Sequence, residues 1–203
     1  ILGRNKNFWI PVYGKVQELM PQMKEISLDE FYHEINHVRN SLIRTEADEV
    51  TYCFHIILRY EMEKAIFRDN VPVENLPELW NQKMKEYLDI TPANDAEGIL
   101  QDMHWSDGSF GYFPSYLLGS IYDGMYLEEL EKELGPVDEI LKEGRIKEIT
   151  KWLNKKIHWY GSTRTPKEVI ANVCGKEVSA EPLVRYFEKK YADIYNLDHL
   201  MEK

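Results

Sequence analysis

The densest group of chemically active side chains lies in the stretch from Gly98 to Tyr116. Amide, carboxylate, imidazole and phenol side chains occur there, separated by glycines that let the backbone approach a ligand and by a proline that opens a helix. Such groups bind ligands and transfer protons. An aromatic loop packed on a core is the alternative interpretation, because Tyr, Trp and His are often half-buried for packing alone. The candidate residues are Gln101, Asp102, His104, Tyr112 and Tyr116.

A second candidate is the sequence His33-Glu34-Ile35-Asn36-His37, which matches the HExxH pattern. In that pattern two histidines one helical turn apart bind zinc and the glutamate activates water. Glu61, on the next long helix, is a possible third ligand. A helical wheel places both histidines roughly 130–190° from the centre of the apolar stripe, on the polar face. Nothing in the sequence supplies partners for the imidazoles there, so a solvated helix face is the favoured interpretation.

Helices are predicted for most of the chain, because apolar residues recur at intervals of three and four and capping residues mark helix starts. Residues 41–44 are a possible extended segment. No longer strand-like alternation occurs, so we predict an all-α fold with at most a short strand near residues 41–44. The expected helices are one or two within 3–20, then 28 to about 40, about 48–68, 76–88, a long helix that includes 116–134, and finally 145–159, 166–175 and 179–195.

Composition narrows the possible partners. The chain has 35 acidic and 25 basic residues and a formal charge of -10, which argues against binding to nucleic acid or to an anionic membrane. No apolar run approaches the ~20 residues of a membrane span. Cys53 and Cys174 are far apart, so a reducing compartment, by default the cytoplasm, is expected. Residues 1–203 are expected to form a single helical unit, and the start at Ile1 rather than Met suggests a piece of a larger domain.

Two longer motifs in the sequence indicate a family resemblance. The sequence Ile43-Arg44-Thr45-Glu46-Ala47-Asp48 has the pattern I-R-x-x-A-D, and Gly98-Ile99-Leu100-Gln101-Asp102-Met103-His104-Trp105 has the pattern G-x-x-Q-D-x-H-W. With both motifs at the expected separation, the chain resembles the Taq-type thermostable metallocarboxypeptidases, a zincin family. The segments 54–61 and 108–116 also look like their family counterparts, and the likeness extends from Ile1 to nearly the C-terminus.

The resemblance implies a metal-dependent carboxypeptidase that releases C-terminal amino acids with broad specificity. It also implies zinc or another divalent metal, a peptide substrate with a free C-terminus, and a homodimer. In that family the metal ligands come before the position that corresponds to Ile1. No metal ligand is therefore assigned within this chain, and the isolated chain is expected to be inactive. The HExxH at His33–His37 then falls where the family has an ordinary surface helix.

The resemblance also suggests roles for individual residues. Arg44 is expected to bind the substrate carboxylate, because a planar guanidinium pairs with two oxygens, and Asp48, one turn on, is expected to hold it. His104 and Tyr116, with Tyr112 as a second phenol, are expected to donate hydrogen bonds to the oxyanion of the tetrahedral intermediate. Gln101 and Asp102 are expected to hold the backbone or the His104 ring. His55 is considered only as a core histidine that lines the site.

Two alternatives stay open. One is a self-contained zinc peptidase that uses His33, Glu34 and His37, and the other is a non-catalytic helical interaction module.

Overall fold

A computed structural model describes residues 1–197 of the chain. The described residues contain α-helices and short 3-10 turns and no β-strand, which confirms the predicted all-α class. The α-helices are α1 Lys6–Trp9, α2 Tyr13–Leu19, α3 Leu28–Ile35, α4 Thr51–Phe67, α5 Leu76–Leu88, α6 Pro114–Leu134, α7 Val137–Lys142, α8 Ile146–Lys156, α9 Pro166–Cys174 and α10 Glu181–Tyr195.

The chain divides into two compact units, Ile1–Asn36 with Ser120–Lys203, and His37–Gly119. The expectation of one helical unit over 1–203 remains a prediction, and its last six residues lie outside those that the structure describes. We call 37–119 the motif unit, because it contains both sequence motifs, and the remainder the flanking unit. Within the described residues, no helix is both long and apolar enough to cross a bilayer.

The motif unit is built on the pair α4 and α5, whose core consists of Leu58, Met62, Leu76, Trp80, Met84 and Leu88. Helix α5 has the predicted boundaries, with Pro77 in its first turn and Asp89 in the left-handed conformation at its end. Residues 41–43 do not form the short strand that the sequence allowed; Ile43 alone is shown to be extended, and a 3-10 turn begins at Arg44.

The flanking unit packs α6, α7 and α8 around a core of Leu130, Val137, Ile140, Leu141, Ile149 and Trp152. The short helix α7 was not predicted. The helix expected over 145–159 is shorter, because a 3-10 turn at His158–Tyr160 follows α8. Capping boxes at Ser27 and Thr165 start α3 and α9 as their sequences indicate.

Helix α3 ends at Ile35 rather than near residue 40, because Asn36 leaves the helical conformation. The Asn36 side-chain amide donates to the carbonyl oxygens of Tyr32 and Arg4, which fixes it as the end of the helix. His37 therefore lies outside α3, and the two histidines of the HExxH sequence do not share a helix. His33, Glu34 and His37 are all exposed.

Candidate functional site

The centre of the site is a carboxylate held between two arginines in the motif unit. Asp102 Oδ1 accepts hydrogen bonds from Nε of Arg44 at 3.0 Å and from its Nη2 at 2.7 Å. The other oxygen, Oδ2, accepts from Nε of Arg59 at 2.6 Å. The side chains of Asp102, Arg44 and Arg59 are 12%, 9% and 0% exposed, respectively, so this is a nearly dry cluster.

The electrostatics of the cluster favour three charged groups. Burial would raise the pKa of the Asp102 carboxyl, but the Arg44 hydrogen bond and the charge of Arg59 hold it below its ordinary value. Burial would lower the pKa of Arg44, but Asp102 raises it. Burial lowers the pKa of Arg59 to about 10, which still leaves it protonated at neutral pH. Two cations on one anion leave one net positive charge.

Aromatic rings enclose both guanidinium groups. The Arg44 guanidinium lies 5.1 Å from the Tyr116 ring centre and 5.7 Å from that of Phe113. The Arg59 guanidinium lies 4.8 Å from the Trp80 ring and 5.4 Å from the Phe113 ring. These cation–π contacts keep the arginines in place in a water-poor setting.

His104 and Tyr116 meet beside this cluster. Nε2 of His104 lies 3.0 Å from the Tyr116 hydroxyl, and the His104 ring packs at 4.4 Å on Phe113. Nδ1 of His104 makes no hydrogen bond and lies 4.0 Å from Asp102 Oδ1. A proton on Nδ1 faces this carboxylate favourably, whereas a lone pair there would be repelled. We infer that Nδ1 carries the proton and that Nε2 accepts the Tyr116 hydroxyl hydrogen.

Tyr112 lies in the loop before α6, as the proline at position 114 indicated. The residue is 53% exposed, and its ring centre lies 5.8 Å from that of His104 and 5.4 Å from that of Tyr116. No hydrogen bond joins its hydroxyl to either residue among the described contacts. The structure thus brings all three predicted donors together, with Tyr112 at the exposed edge.

Gln101 fixes the backbone on which Arg44 stands. Its Oε1 accepts from the Arg44 backbone N–H at 2.9 Å, and its Nε2 donates to the carbonyl oxygens of Leu42 and Glu97 at 3.0 Å. The second motif therefore holds the first at the backbone through Gln101 and at the side chain through Asp102.

The expected pairing of Asp48 with Arg44 is wrong. The Asp48 carboxylate instead accepts the backbone N–H groups of Val50 and Thr51, each at 2.9 Å, and the Thr51 hydroxyl at 2.6 Å. It satisfies amides that the first turn of α4 leaves free, which is the ordinary use of an Asp before a helix. Asp102, distant in sequence, takes the Arg44 partnership.

Three residues on α4 form a buried polar row that sequence reasoning did not recognise as a unit. His55, Arg59 and Glu63 are 0%, 0% and 7% exposed and follow one another at intervals of four, on one face of the helix. Arg59 Nη1 donates to the His55 carbonyl oxygen at 2.9 Å. The sequence did carry a signal for this row: its polar residues recur at helical spacing, while apolar residues occupy other faces of the helix.

His55 is a core residue. Burial, together with the charge of Arg59, lowers its pKa to about 4, so the imidazole is neutral at physiological pH.

The residues considered as metal ligands do not come together to form a metal site. Glu61 forms an ion pair with Lys83, which agrees with a role on the surface of the α4–α5 pair. Among residues 1–197, no group of three or more His, Cys, Asp or Glu side chains could hold a metal ion. The described part of the chain therefore does not fit a metal site, and the self-contained zinc site at His33, Glu34 and His37 has no support in the structure.

Fold and site together define a helical protein with a buried arginine–carboxylate cluster beside a histidine–tyrosine pair. The family model for carboxypeptidase Taq (M32) metallopeptidases matches residues 1–191, and the chain belongs to this family.

Individual relatives agree with this assignment. The chain is 49% identical over 197 residues to carboxypeptidase 1 of Bacillus subtilis, covering 97% of this chain and 39% of the relative. It is 39% identical over 195 residues to thermostable carboxypeptidase 1 of Thermus thermophilus, covering 96% and 38%. It matches the crystal structure of M32 carboxypeptidase from Deinococcus radiodurans R1 with a TM-score of 0.92 and 29% identity, covering 96% and 40%. The chain thus spans about two-fifths of the length of these relatives.

Proposed function

We propose that this chain is the part of a metal-dependent carboxypeptidase that binds the substrate's C-terminal carboxylate and stabilises the oxyanion of the reaction. The observation that carries the proposal is the net positive charge of the Arg44–Asp102–Arg59 cluster, buried beside the His104–Tyr116 pair. Membership in a family of metallopeptidases supports the reaction class.

Arg44 has the capacity that carboxylate recognition needs. A guanidinium carries five N–H donors. Asp102 takes two of them and the Tyr52 hydroxyl takes one at 3.3 Å, so two remain for a ligand. Because Asp102 and the surrounding rings fix the orientation of the guanidinium, little conformational entropy would be lost when a carboxylate binds. Arg59, wholly buried, supports Asp102 rather than the ligand.

Tyr116 is the proposed donor to the oxyanion. Its hydroxyl can rotate from the His104 acceptor towards a negatively charged oxygen, which is the stronger acceptor. A neutral donor in a nearly dry site stabilises developing charge without reorganising water. His104 was expected to be a second donor, but with Nε2 accepting the Tyr116 hydrogen we propose that it orients this hydroxyl instead. Tyr112, at the exposed edge, is the second phenol.

Zinc or another divalent metal, a homodimer and broad specificity belong to the same proposal, as the resemblance implies. A cytoplasmic location is proposed from the two widely separated cysteines. Residues 1–197 contain no group that could hold a metal ion, and we propose, as the resemblance implies, that the metal ligands lie outside the described residues. The isolated chain is then expected to lack peptidase activity.

The test of carboxylate recognition is Arg44→Ala in a complete enzyme that contains this sequence. We expect KM for peptides with a free C-terminus to rise by about 10–100-fold, because a charge-assisted hydrogen-bonded pair of about 1.5–3 kcal/mol is lost.

C-terminally amidated peptides are the control, since they carry no carboxylate for Arg44. An equal effect on both substrates would remove Arg44 from this role.

The donor role is tested by Tyr116→Phe in the same enzyme. We expect kcat to fall by about 10²–10³-fold with KM little changed, as for other donors to an oxyanion. Steady-state kinetics measure both constants, and a kcat close to that of the wild type would contradict the assignment.

A further inference from the structure

Helix α4 carries a second buried carboxylate that the proposed reaction does not use. Glu63 is 7% exposed, and its Oε1 accepts two hydrogen bonds, from the Trp105 indole N–H and from the Gly111 backbone N–H, each at 3.0 Å. We propose that Glu63 is a positioning residue that sets the geometry of the His104–Tyr116 pair by holding both ends of the segment 104–112. This inference rests on the function proposed above for that pair.

The two contacts fall next to two residues of the proposed site. Trp105 directly follows His104, and Gly111 directly precedes Tyr112. Fixing these two neighbours with one oxygen atom restricts the backbone from which both candidate side chains project. The carboxylate thus acts on His104 and Tyr112 without touching them.

Backbone hydrogen bonds within the loop hold this segment in a compact turn. The backbone N–H of Ser109 donates to the His104 carbonyl oxygen at 2.7 Å, and that of Asp107 donates to the Met103 carbonyl oxygen at 3.1 Å. Gly111 has a φ of +76°, a conformation that side chains with a Cβ rarely adopt. Glu63 accepts a hydrogen bond from the backbone N–H of Gly111, so it stabilises the turn that leads into α6.

With Glu63, helix α4 holds the chain on both sides of His104. Arg59, one turn earlier on the helix, binds Asp102, two residues before His104. Glu63 binds Trp105, one residue after it. Because the helix is rigid, the spacing of Arg59 and Glu63 determines the distance between these attachment points.

The proposal is tested by ¹⁵N NMR of the imidazole and amide groups in this chain. Glu63→Met removes the acceptor at similar length, whereas Glu63→Gln keeps an oxygen that can accept both N–H groups. In Glu63→Met we expect the His104 Nε2 resonance to lose the signature of its hydrogen bond with Tyr116 and the Gly111 amide proton to move upfield. Glu63→Gln should restore most of both signals.

Glu61→Gln is the matched control, because Glu61 lies two residues earlier on α4 and pairs with Lys83 instead of the segment. It should leave the His104 resonances unchanged. Trp105→Phe provides a milder variant that removes one of the two donors, should Glu63→Met fail to fold. Unchanged His104 resonances in the folded variants would overturn the positioning role.

Kinetics in a complete enzyme separate this inference from the proposed function. If both hold, Glu63→Met lowers kcat by about 10–100-fold, as expected for a misplacement of about 1 Å, with little change in KM because Arg44 is held separately. If the NMR signals respond as expected but the wild-type enzyme releases no C-terminal amino acids, the positioning role stands and the proposed function fails.

Discussion

The segment 98–116 and the HExxH sequence at His33–His37 both match catalytic patterns, yet their side chains have different surroundings. Asp102 and His104 are largely buried, and Asp102 binds a residue 58 positions away in the chain. His33, Glu34 and His37 are exposed, and α3 ends between the two histidines. A short pattern indicates a site only where other parts of the chain converge on it, because catalysis and binding need groups held in fixed geometry away from bulk water.

The strongest way to test this contrast is to remove the shared carboxylate. Asp102→Asn leaves Arg44 and Arg59 without their counter-charge in a buried setting, so we expect the free energy of unfolding to fall by about 3–5 kcal/mol. Urea denaturation measures this loss. The control Glu34→Gln, in the exposed pattern, should change stability by no more than about 0.5 kcal/mol. Similar losses in both variants would contradict the contrast.

A second test uses pH. The pKa of His55 is lowered from 6.5 to about 4 in the folded chain, so the unfolded chain takes up the proton first as pH falls. The stability that neutral His55 contributes is therefore fully present above about pH 6.5 and is lost as pH falls towards 4. We expect a decrease of about 2 kcal/mol between pH 7.5 and pH 5, measured by urea denaturation at each pH. His55→Gln should lack this part of the pH dependence, and an identical profile would refute its origin in His55.

The smallest effects are expected at the exposed pattern itself. His33→Ala and His37→Ala should each change the free energy of unfolding by no more than about 0.5 kcal/mol, since neither side chain is buried. Metal analysis of the purified chain should find no stoichiometric zinc that depends on them. Stoichiometric zinc that disappears in His33→Ala would restore the self-contained zinc peptidase.

Local signals in the sequence predicted most of the fold. Apolar spacing, prolines and caps located α5, α6, α9 and α10 closely, because these signals act within one or two turns of the chain. The early end of α3 was missed because it depends on Asn36, whose amide also binds the Arg4 carbonyl, a contact that spans 32 positions. The short helix α7 was missed because six residues offer too little periodicity to detect.

The sequence identified most residues of the candidate site but not all of their hydrogen-bond partners. Arg44, Gln101, Asp102, His104, Tyr112 and Tyr116 were all identified, and the structure brings them together in the motif unit. The predicted partner of Arg44 was wrong, because Asp48, although near in sequence, accepts backbone N–H groups at the start of α4 instead. Arg59 and Glu63 were missed, since a charged residue in a helix usually faces solvent.

The sequence by itself determined the all-α class, the two motifs and the family they resemble, because helix periodicity and motif spacing are properties of the chain order. Only the tertiary structure decided which carboxylate each arginine binds, that Glu63 is buried against the loop, and that the HExxH sequence is exposed. Those facts depend on contacts between residues tens of positions apart, and burial in three dimensions sets the strength of the charge interactions that result.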